Sequence, residues 1–398
     1  MNVIEVNNLS KIFGKNPQQA IKLLEEGYSK KEILEKTGNT VGVNRASFEV
    51  KPGEIFVIMG LSGSGKSTLV RLINRLIEPT EGTIKVGDQD LSKADNKTLR
   101  EIRRKKLGMV FQSFALFPHR TILENAEFGL EIQGEPKEKR SKKAKEALEM
   151  VGLGGYFDQY PEQLSGGMQQ RVGLARALAN DPDVLLMDEA FSALDPLIRK
   201  DMQDELIDLQ SKMKRTILFI THDLNEALRL GDRIALMRDG EIVQIGSPEE
   251  ILVSPANDYV EKFVEDVDRS KVLTAQHIMQ RPETININNH GPRVALERMR
   301  EEGISGVYVV DGDRQLKGYI HASDASDAAR KEIRTLDGIL KTNVPTVEKD
   351  TPMSEIFNII HDAPIPVAVV ENDRLLGIIV RGAVIAALSE DGEVNMNE

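Results

Sequence analysis

One eight-residue segment, Gly60–Ser67, limits what this chain can fold into more than any other stretch. Its sequence, Gly-Leu-Ser-Gly-Ser-Gly-Lys-Ser, fits the pattern G-x-x-x-x-G-K-[ST], whose glycines let the backbone wrap round a phosphate group. The apolar run Ile55–Met59 before it predicts a buried strand, and Thr68–Ile73 after it has a helical pattern, which disfavours a chance Gly/Ser-rich turn. The segment therefore predicts a nucleoside triphosphate site, where loop N–H groups and a helix N-terminus meet the anion.

The loop also predicts which side chains hold the nucleotide. We expect Lys66 to reach the β- and γ-phosphates of the nucleotide and the Ser67 hydroxyl to bind Mg²⁺. Phe13 lies near a turn, where it either stacks on the base or is an ordinary core residue. The predicted nucleotide-binding residues are Gly60, Leu61, Ser62, Gly63, Ser64, Gly65, Lys66, Ser67, Thr68 and Phe13.

Length and composition bound the class of protein. At 398 residues the chain has room for about two or three domains, and no run reaches the roughly 18 apolar residues that span a bilayer. Its start lacks the pattern of a secretory signal peptide, and the absence of cysteine excludes disulfides and fits the cytosol. A formal net charge of −11 argues against nucleic acid as the main partner. The one basic run, Arg100–Lys106, is more typical of a solvated helix face.

Polar side chains follow three further apolar runs that we predict to be strands. These side chains are Gln112, the pair Asp188 and Glu189, and His222. A carboxylate at a strand end beside the phosphate loop suits Mg²⁺, and we assign this role to Asp188. Glu189 can then orient or deprotonate the water that attacks the γ-phosphate. Of the six histidines only His222 follows such a strand, and the others show no metal-ligand spacing.

Three other segments stand out between these motifs. Leu164–Gln170 carries Ser-Gly-Gly at the start of a strong helix and predicts a second anion site, which a single phosphate loop does not obviously need. The apolar segment Ser113–His119 is either an exposed docking surface or packs on a neighbouring helix. Residues 15–41 form a predicted helical insertion between two strands, in which we identify no chemistry.

Taken together, these motifs resemble one family, the ATPase subunits of ABC transporters, over roughly residues 3–265. Five motifs occur in the family's order: the phosphate loop, Gln112 of the Q-loop, the signature, the acidic strand end and His222 of the switch. Asp195 matches the aspartate of the D-loop. The signature residues are Leu164, Ser165, Gly166, Gly167 and Met168. Three features look like the subfamily that imports glycine betaine, proline betaine and related quaternary amines. They are methionine at the last signature position, where glutamine is commonest, the stretch Asp188–Arg199, and the insertion.

The resemblance implies a homodimer in which two ATPase domains sandwich two ATP molecules head to tail. The signature helix of one protomer would close on the γ-phosphate held by the other's phosphate loop. Gln112 would contact Mg²⁺ and sense the γ-phosphate, Glu189 would polarise the attacking water, and His222 would contact the γ-phosphate. The catalytic residues implied are Lys66, Gln112, Glu189 and His222, and the Mg²⁺ ligands are Ser67, Gln112 and Asp188.

The same resemblance implies partners in a membrane. These are integral-membrane permease subunits that work with a substrate-binding protein or domain, and the apolar segment after Gln112 would receive their coupling helix. The chain would then act at the cytoplasmic face of the cell membrane, near an anionic lipid surface, and nucleic acid would not be a partner. The transported solute could also be proline, choline or carnitine. A soluble ABC ATPase outside transport, or a nucleotide-gated scaffold without catalysis, is a less favoured alternative.

The C-terminal third contains an internal repeat with a spacing near 60 residues. Gly306–Asp311 corresponds to Pro366–Glu371, and each copy reads β-α-β-β-α. Copies this small bury little apolar surface alone, so we expect them to pack as a pair. They resemble a tandem CBS module, which often binds adenine nucleotides through the motif Gly-h-h-Thr-x-x-Asp. Gly318–Asp324 keeps Asp324, the candidate regulatory residue, but lacks the threonine, and Gly377–Ala383 lacks both, so ordinary binding at two sites is not expected.

Three roles for this module remain open: a sensor of ionic strength, a receptor for an adenine nucleotide or cyclic dinucleotide, and a dimerisation clamp. The subfamily resemblance favours osmotic regulation. We therefore predict a P-loop NTPase of the ABC type, of α/β class, followed by an α+β CBS pair. The predicted boundaries are 1–265 for the ATPase domain, about 90–180 for its helical subdomain, 266–272 for a linker, 273–330 and 337–390 for the repeats, and 391–398 for an acidic, disordered tail.

Overall fold

The computed structural model describes residues 3–112, 114–265, 267, 270 and 272–388. The chain divides into two units, Met1–Val264 and Glu265–Glu398. The predictions made for Ser113, for most of the linker 266–272 and for the tail 391–398 lie outside the described residues. Among the residues described, no helix has both the length and the apolar composition needed to cross a bilayer.

The first unit contains two sheets. Their strands are β1 (Ile4–Phe13), β2 (Thr40–Val50), β3 (Ile55–Met59), β4 (Glu81–Val86), β5 (Gln89–Asp90), β6 (Leu107–Phe111), β7 (Val184–Asp188), β8 (Thr216–Thr221), β9 (Arg233–Arg238) and β10 (Glu241–Gly246). The antiparallel sheet has the order β2-β1-β4-β5, and the other sheet has the order β10-β9-β3-β8-β7-β6. In the larger sheet β9, β3, β8, β7 and β6 run parallel, which is the predicted α/β class.

The helices of this unit pack on both sheets and on one another, and one of them directly follows the phosphate loop. They are α1 (Pro17–Glu25), α2 (Lys30–Thr37), α3 (Lys66–Ile73), α4 (Asn96–Lys105), α5 (Ile122–Ile132), α6 (Lys137–Met150), α7 (Gly166–Leu178), α8 (Pro196–Met213), α9 (Leu224–Leu230), α10 (Pro248–Val253) and α11 (Asp258–Val264). Leu69 and Leu72 of α3 lie in one core with residues of both sheets, among them Val43 and Phe56. Burying each such side chain stabilises the fold by about 1.5–3 kcal/mol, so the start of α3 is held firmly between two layers.

The range predicted as a helical subdomain, about 90–180, also contributes to the main core. Strand β6 lies inside it and forms an edge of the larger sheet. Leu99 and Ile102 of α4 are buried with the residues of both sheets. Helices α5, α6 and α7 pack on one another and form the separate helical part.

The sequence Ser247-Pro248-Glu249-Glu250 predicts a capping box that opens a helix reaching to about Phe263, and the length of that helix is wrong. Ser247 does form the capping box with Glu250 and opens α10, but a second helix, α11, covers the end of the range. Pro255 explains the break, because the residue before a proline is driven out of the α conformation. Ser254 accordingly has φ −132° and ψ 66°.

The predicted insertion at 15–41 folds into α1 and α2 and is tied to the antiparallel sheet. At its base the buried Asn39 amide donates to the carbonyl oxygen of Asn16 at 3.1 Å. Arg45 on β2 forms an ion pair with Glu25 at 2.8 Å. A small core joins the helices to β1 and β2, and its buried residues are Ile12, Ala20, Ile21, Ile33 and Val41.

The second unit contains two three-stranded sheets with the predicted β-α-β-β-α order in each copy. Its elements are α12 (Ala275–Ile278), β11 (Thr284–Asn286), α13 (Pro292–Glu301), β12 (Gly306–Val310), β13 (Leu316–His321), α14 (Ala322–Arg330), β14 (Thr346–Glu348), α15 (Met353–Asp362), β15 (Val367–Glu371), β16 (Arg374–Ile379) and α16 (Arg381–Leu388). The copies pack as a pair, because Tyr308 and Tyr319 of the first share a buried cluster with Ala368 and Leu375 of the second.

The start of the first copy packs in the core of the second. Ala275 and Ile278 of α12, which come before β11 in the chain, are buried in the core of the second copy. Leu336, between the copies, is buried in the core of the first. The second sheet therefore depends on a segment that lies far from it in the chain.

Candidate nucleotide-binding site

The phosphate loop and three polar strand ends meet at one edge of the larger sheet. In the register of the parallel strands, Met59 pairs with Thr221, Ile220 with Asp188, and Asp188 with Phe111. The carboxyl ends of neighbouring parallel strands lie at the same edge, where ligands of α/β proteins bind. The residues that directly follow these four strands are Gly60, His222, Glu189 and Gln112.

Two glycines let the loop turn tightly between β3 and α3. Gly60 has φ 153°, and a Cβ atom there would lie 2.2 Å from the carbonyl oxygen of Met237. Gly65, which precedes α3, has φ 108°, and its Cβ would lie 2.5 Å from the carbonyl oxygen of Gly42. Both the backbone conformation and the lack of space require glycine at these positions.

Lys66 is buried at the start of α3, with its ammonium against the loop backbone. Its Nζ donates to the carbonyl oxygens of Gly60 at 2.7 Å and Leu61 at 3.1 Å. Burial lowers the pKa of Lys66, and the carboxylates of Glu189 and Asp188 oppose that shift. A desolvated cation thus stands where the phosphates are predicted to lie.

The two carboxylates that follow β7 have different surroundings. Burial, and then the neighbouring charge of Glu189, raise the pKa of Asp188. Glu189 itself has the left-handed φ of 46°, a strained conformation for a non-glycine residue that is frequent at functional sites. Its Oε2 lies 3.3 Å from Nδ1 of His222. The strained turn therefore brings this carboxylate to the imidazole at the neighbouring strand end.

A cavity of about 610 Å³ joins most of the predicted ATP-binding residues. The predicted residues that line it are Phe13, Leu61, Ser62, Gly63, Gly65, Lys66, Ser67, Thr68, Glu189 and His222. Gly60 and Ser64 are not among the lining residues, and Ser64 is buried beneath the loop. Asp188 and Gln112 are also outside the lining, and Gln112 Nε2 donates to Ser192 Oγ at 2.9 Å.

Sequence reasoning missed four residues that line the cavity, Lys30, Thr40, Val41 and Gly42. Gly42 has a steric role, because a Cβ there would lie 2.8 Å from the ring of Phe13. That ring is 41% exposed and lines the cavity, so of the two alternatives for Phe13 the core position is excluded. One signal could have identified Lys30 as a candidate. It is the first residue of a helix, an unfavourable position for a cation because its charge opposes the helix dipole.

The signature lies apart from this cavity within the chain. Ser165 caps α7, and its Oγ accepts from the backbone N–H of Met168 at 3.3 Å. Ser165 is exposed and does not line the cavity. Asp195 caps α8 in the same way, accepting from the N–H of Ile198 at 3.1 Å. Leu164 and Gly167 are buried beside the signature turn.

The apolar segment after Gln112 has both packed and exposed side chains. Phe117 packs on Phe128 of α5, with ring centroids 4.5 Å apart, which is the packing alternative. Ala115 is exposed and, together with Phe111 at the end of β6, lines an apolar groove of about 420 Å³. Arg176 of α7 holds this segment, donating to the carbonyl oxygen of Ala115 at 2.6 Å.

In the second unit, Asp324 lies in the first turn of α14 and is half-buried. Its Oδ2 lies 3.1 Å from Nζ of Lys341, in the segment between α14 and β14. The carboxylate that the CBS motif would offer to a ribose is therefore already paired with a cation.

Comparison with known proteins agrees with this architecture. A family model described as "ABC transporter" matches residues 43–192, and one described as "CBS domain" matches residues 275–331 and 336–390. Among solved structures, the dimeric post-hydrolysis state of an ATP-binding cassette bound to ADP and Pi is 34% identical, with a TM-score of 0.51. It covers 62% of this chain, and 98% of that chain is matched.

Relatives align over nearly the whole length. The glycine betaine/carnitine transport ATP-binding protein GbuA of Listeria monocytogenes is 63% identical over 100% of both chains. The glycine betaine transport ATP-binding protein OpuAA of Bacillus subtilis is 63% identical over 98% of this chain and 93% of its own. The glycine betaine/proline betaine transport system ATP-binding protein ProV of Escherichia coli is 52% identical over 98% of this chain and 99% of its own. The resemblance predicted from the motifs is confirmed, and the chain belongs to the family of ATP-binding subunits of ABC transporters, with a tandem CBS module after its ATPase domain.

Proposed function

We propose that this chain hydrolyses ATP to power an importer of glycine betaine or related quaternary amines. The observation that carries the proposal is the single edge at which the phosphate loop, Glu189 and His222 surround one cavity. The solute class is supported by relatives named for glycine betaine transport that align over nearly the full chain. In this proposal the chain itself does not contact the solute.

The residues of the cavity divide the work of hydrolysis. Loop N–H groups and Lys66 hold the β- and γ-phosphates, and their positive charge offsets the negative charge that develops on the transferred phosphoryl group. The Glu189 carboxylate orients a water for attack on the γ-phosphorus and accepts its proton as ADP leaves. His222, 3.3 Å from that carboxylate, keeps it in position and contacts the γ-phosphate.

The oxygen donors beside the loop fit Mg²⁺. Ser67 and Asp188 supply a hydroxyl and a carboxylate, and Ser192 engages the amide nitrogen of Gln112, which leaves its oxygen for the ion. Mg²⁺ prefers such oxygen ligands, and takes few from the protein because phosphates and water supply the rest. When bound, the ion would neutralise charge on the β- and γ-phosphates.

The active form in this proposal is a homodimer. The exposed N-terminus of α7, capped by Ser165, offers backbone donors to an anion but does not reach the cavity of its own chain. Two leucines beside the motifs are left largely exposed: Leu61 in the phosphate loop at 57% and Leu197 after the D-loop at 79%. A second copy that closes over the nucleotide would cover these side chains and supply the missing donors.

The apolar groove beside α5 is the proposed docking site for the permease. Leu76, Phe111 and Ile132 line it with exposed apolar side chains, flanked by Arg103 and Arg104. A coupling helix from an integral-membrane subunit would bury these side chains, which water otherwise surrounds. In this proposal the chain acts at the cytoplasmic face of the membrane.

Vesicles that contain the permease and its substrate-binding component, with this chain and ATP on the cytoplasmic side, should accumulate labelled glycine betaine. Binding and hydrolysis of ATP, through closure and reopening of the dimer, supply the driving force. Uptake is measured with labelled glycine betaine, proline, choline and carnitine in parallel vesicles. Accumulation of proline alone, or ATP hydrolysis without uptake of any of the four, would contradict the proposed solute class.

We further propose that the second unit senses ionic strength. Exposed ion pairs such as Lys349 with Glu371 are screened by salt, over a Debye length of about 8 Å at physiological strength. A chain that ends at Val264 should therefore transport at low salt and lose activation by salt. Uptake measured against salt for the full and the shortened chain checks this, and retained salt activation would remove the sensor.

A further inference from the structure

We propose that Lys30, on the insertion at 15–41, binds the phosphates of the nucleotide held by the loop Gly60–Ser67. The inference rests on the proposed ATP-binding function and adds a residue outside the motifs that define the family. It gives the insertion a part in the nucleotide site.

The position of Lys30 carries this inference. Its side chain lines the same cavity as Lys66 and the loop. Its Nζ lies 3.4 Å from the carbonyl oxygen of Gly63, in the exposed middle of the loop. Because Lys30 contacts the loop rather than the ring of Phe13, its ammonium lies at the phosphate end of the cavity and not at the end for the base.

The charge of Lys30 has a single weak partner in this position. Among the described residues no carboxylate forms an ion pair with it, and the contact with Gly63 is long for a hydrogen bond. An ammonium beside a phosphate-binding loop and without a counter-ion favours an anion. Lys66 is occupied by the loop carbonyls on the inner side, so the two cations would approach the phosphate chain from different sides.

The insertion holds Lys30 at a cost to its own helix. Lys30 is the first residue of α2, where a cation opposes the positive end of the helix dipole. The capping box between Ser29 and Glu32 stabilises this start in spite of that charge. The Asn16–Asn39 hydrogen bond and the small core around Ile33 then fix the helix against β1 and β2, whose residues Phe13 and Gly42 line the cavity.

Equilibrium ATP binding to the full chain, with Mg²⁺ chelated to prevent turnover, tests the assignment. Lys30→Ala should raise the Kd for ATP about five- to tenfold, the range of a charge-assisted hydrogen bond that is partly exposed. Lys30→Arg, which keeps the charge, should stay within about twofold of the unmodified chain. The difference should shrink as salt is raised from about 0.05 M to about 0.5 M, because the contact is electrostatic.

Lys31→Ala is the matched control, since Lys31 is the exposed neighbour on the same helix turn and does not line the cavity. It should leave the Kd unchanged. Equal ATP affinity for Lys30→Ala and the unmodified chain would overturn the inference. So would an equal, salt-independent loss in Lys30→Ala and Lys30→Arg, because that result indicates a structural role of the helix. If the unmodified chain binds no ATP, the proposed function itself fails.

Discussion

The Glu189→Gln subunit is expected to bind ATP normally and to hydrolyse it about 10²–10⁴-fold more slowly, the usual contribution of a general base. The amide keeps the size of the carboxylate and can accept a hydrogen bond, but it cannot take the proton of the attacking water. The nucleotide then stays intact between the two copies, and the closed dimer accumulates. Steady-state hydrolysis, ATP binding and molecular mass in solution with and without ATP measure the three parts of this result.

Glu149→Gln, an exposed glutamate in α6, is the control for the loss of one negative charge. It should hydrolyse ATP at the unmodified rate and should not accumulate as a closed dimer. Turnover by Glu189→Gln within about threefold of the unmodified chain would refute the role of Glu189 as base. Loss of ATP binding in the same variant would instead indicate that this residue holds the nucleotide.

Ser165→Asp should prevent ATP-driven dimerisation and lower the rate of ATP hydrolysis by about 10²-fold or more. Each subunit should still bind ATP. Aspartate caps a helix as well as serine does, so α7 should keep its start and the chain its fold. Its negative charge would face the γ-phosphate held by the partner copy, where like charges repel by several kcal/mol. Nucleotide binding to the single subunit is unaffected, because Ser165 does not line the cavity of its own chain.

Ser247→Asp makes the same change at another helix cap, that of α10, and serves as the control. It should dimerise and hydrolyse ATP like the unmodified chain. If Ser165→Asp still dimerises with ATP, the signature does not contact nucleotide across the interface and the shared site is wrong. Combining Ser165→Asp with Glu189→Gln sharpens the test, since the second change alone should trap the dimer and the first should prevent it.

Motifs at strand ends could be predicted because their chemistry is local. A phosphate loop needs glycines at defined positions, and Gly60 and Gly65 are where left-handed φ values and close backbone contacts are observed. Glu189 and His222 follow apolar runs, and parallel strands bring such positions to one edge. The register that sets them 3.3 Å apart was not predictable, because it depends on hydrogen bonds between strands far apart in the chain.

Contacts made across long separations explain what sequence reasoning missed. Phe13 was left open between core and base-stacking because nothing in its own segment shows that Gly42, on the neighbouring strand, clears space beside its ring. Lys30 and Gly63 are 33 residues apart, and their contact depends on how α2 packs on the sheet. The same holds for Arg176, which supports the segment around Ala115 from a different helix.

By itself, the sequence predicted a nucleotide-binding loop, the polar strand ends beside it, and a duplicated α+β module after them. These follow from residue types at fixed spacings, since backbone turns and strand ends impose them within a few residues. Only the tertiary structure decided that the insertion reaches the nucleotide cavity and that Ser165 does not. The reason is physical: packing of buried side chains and pairing of strands set distances between remote segments, and no spacing along the chain encodes those distances.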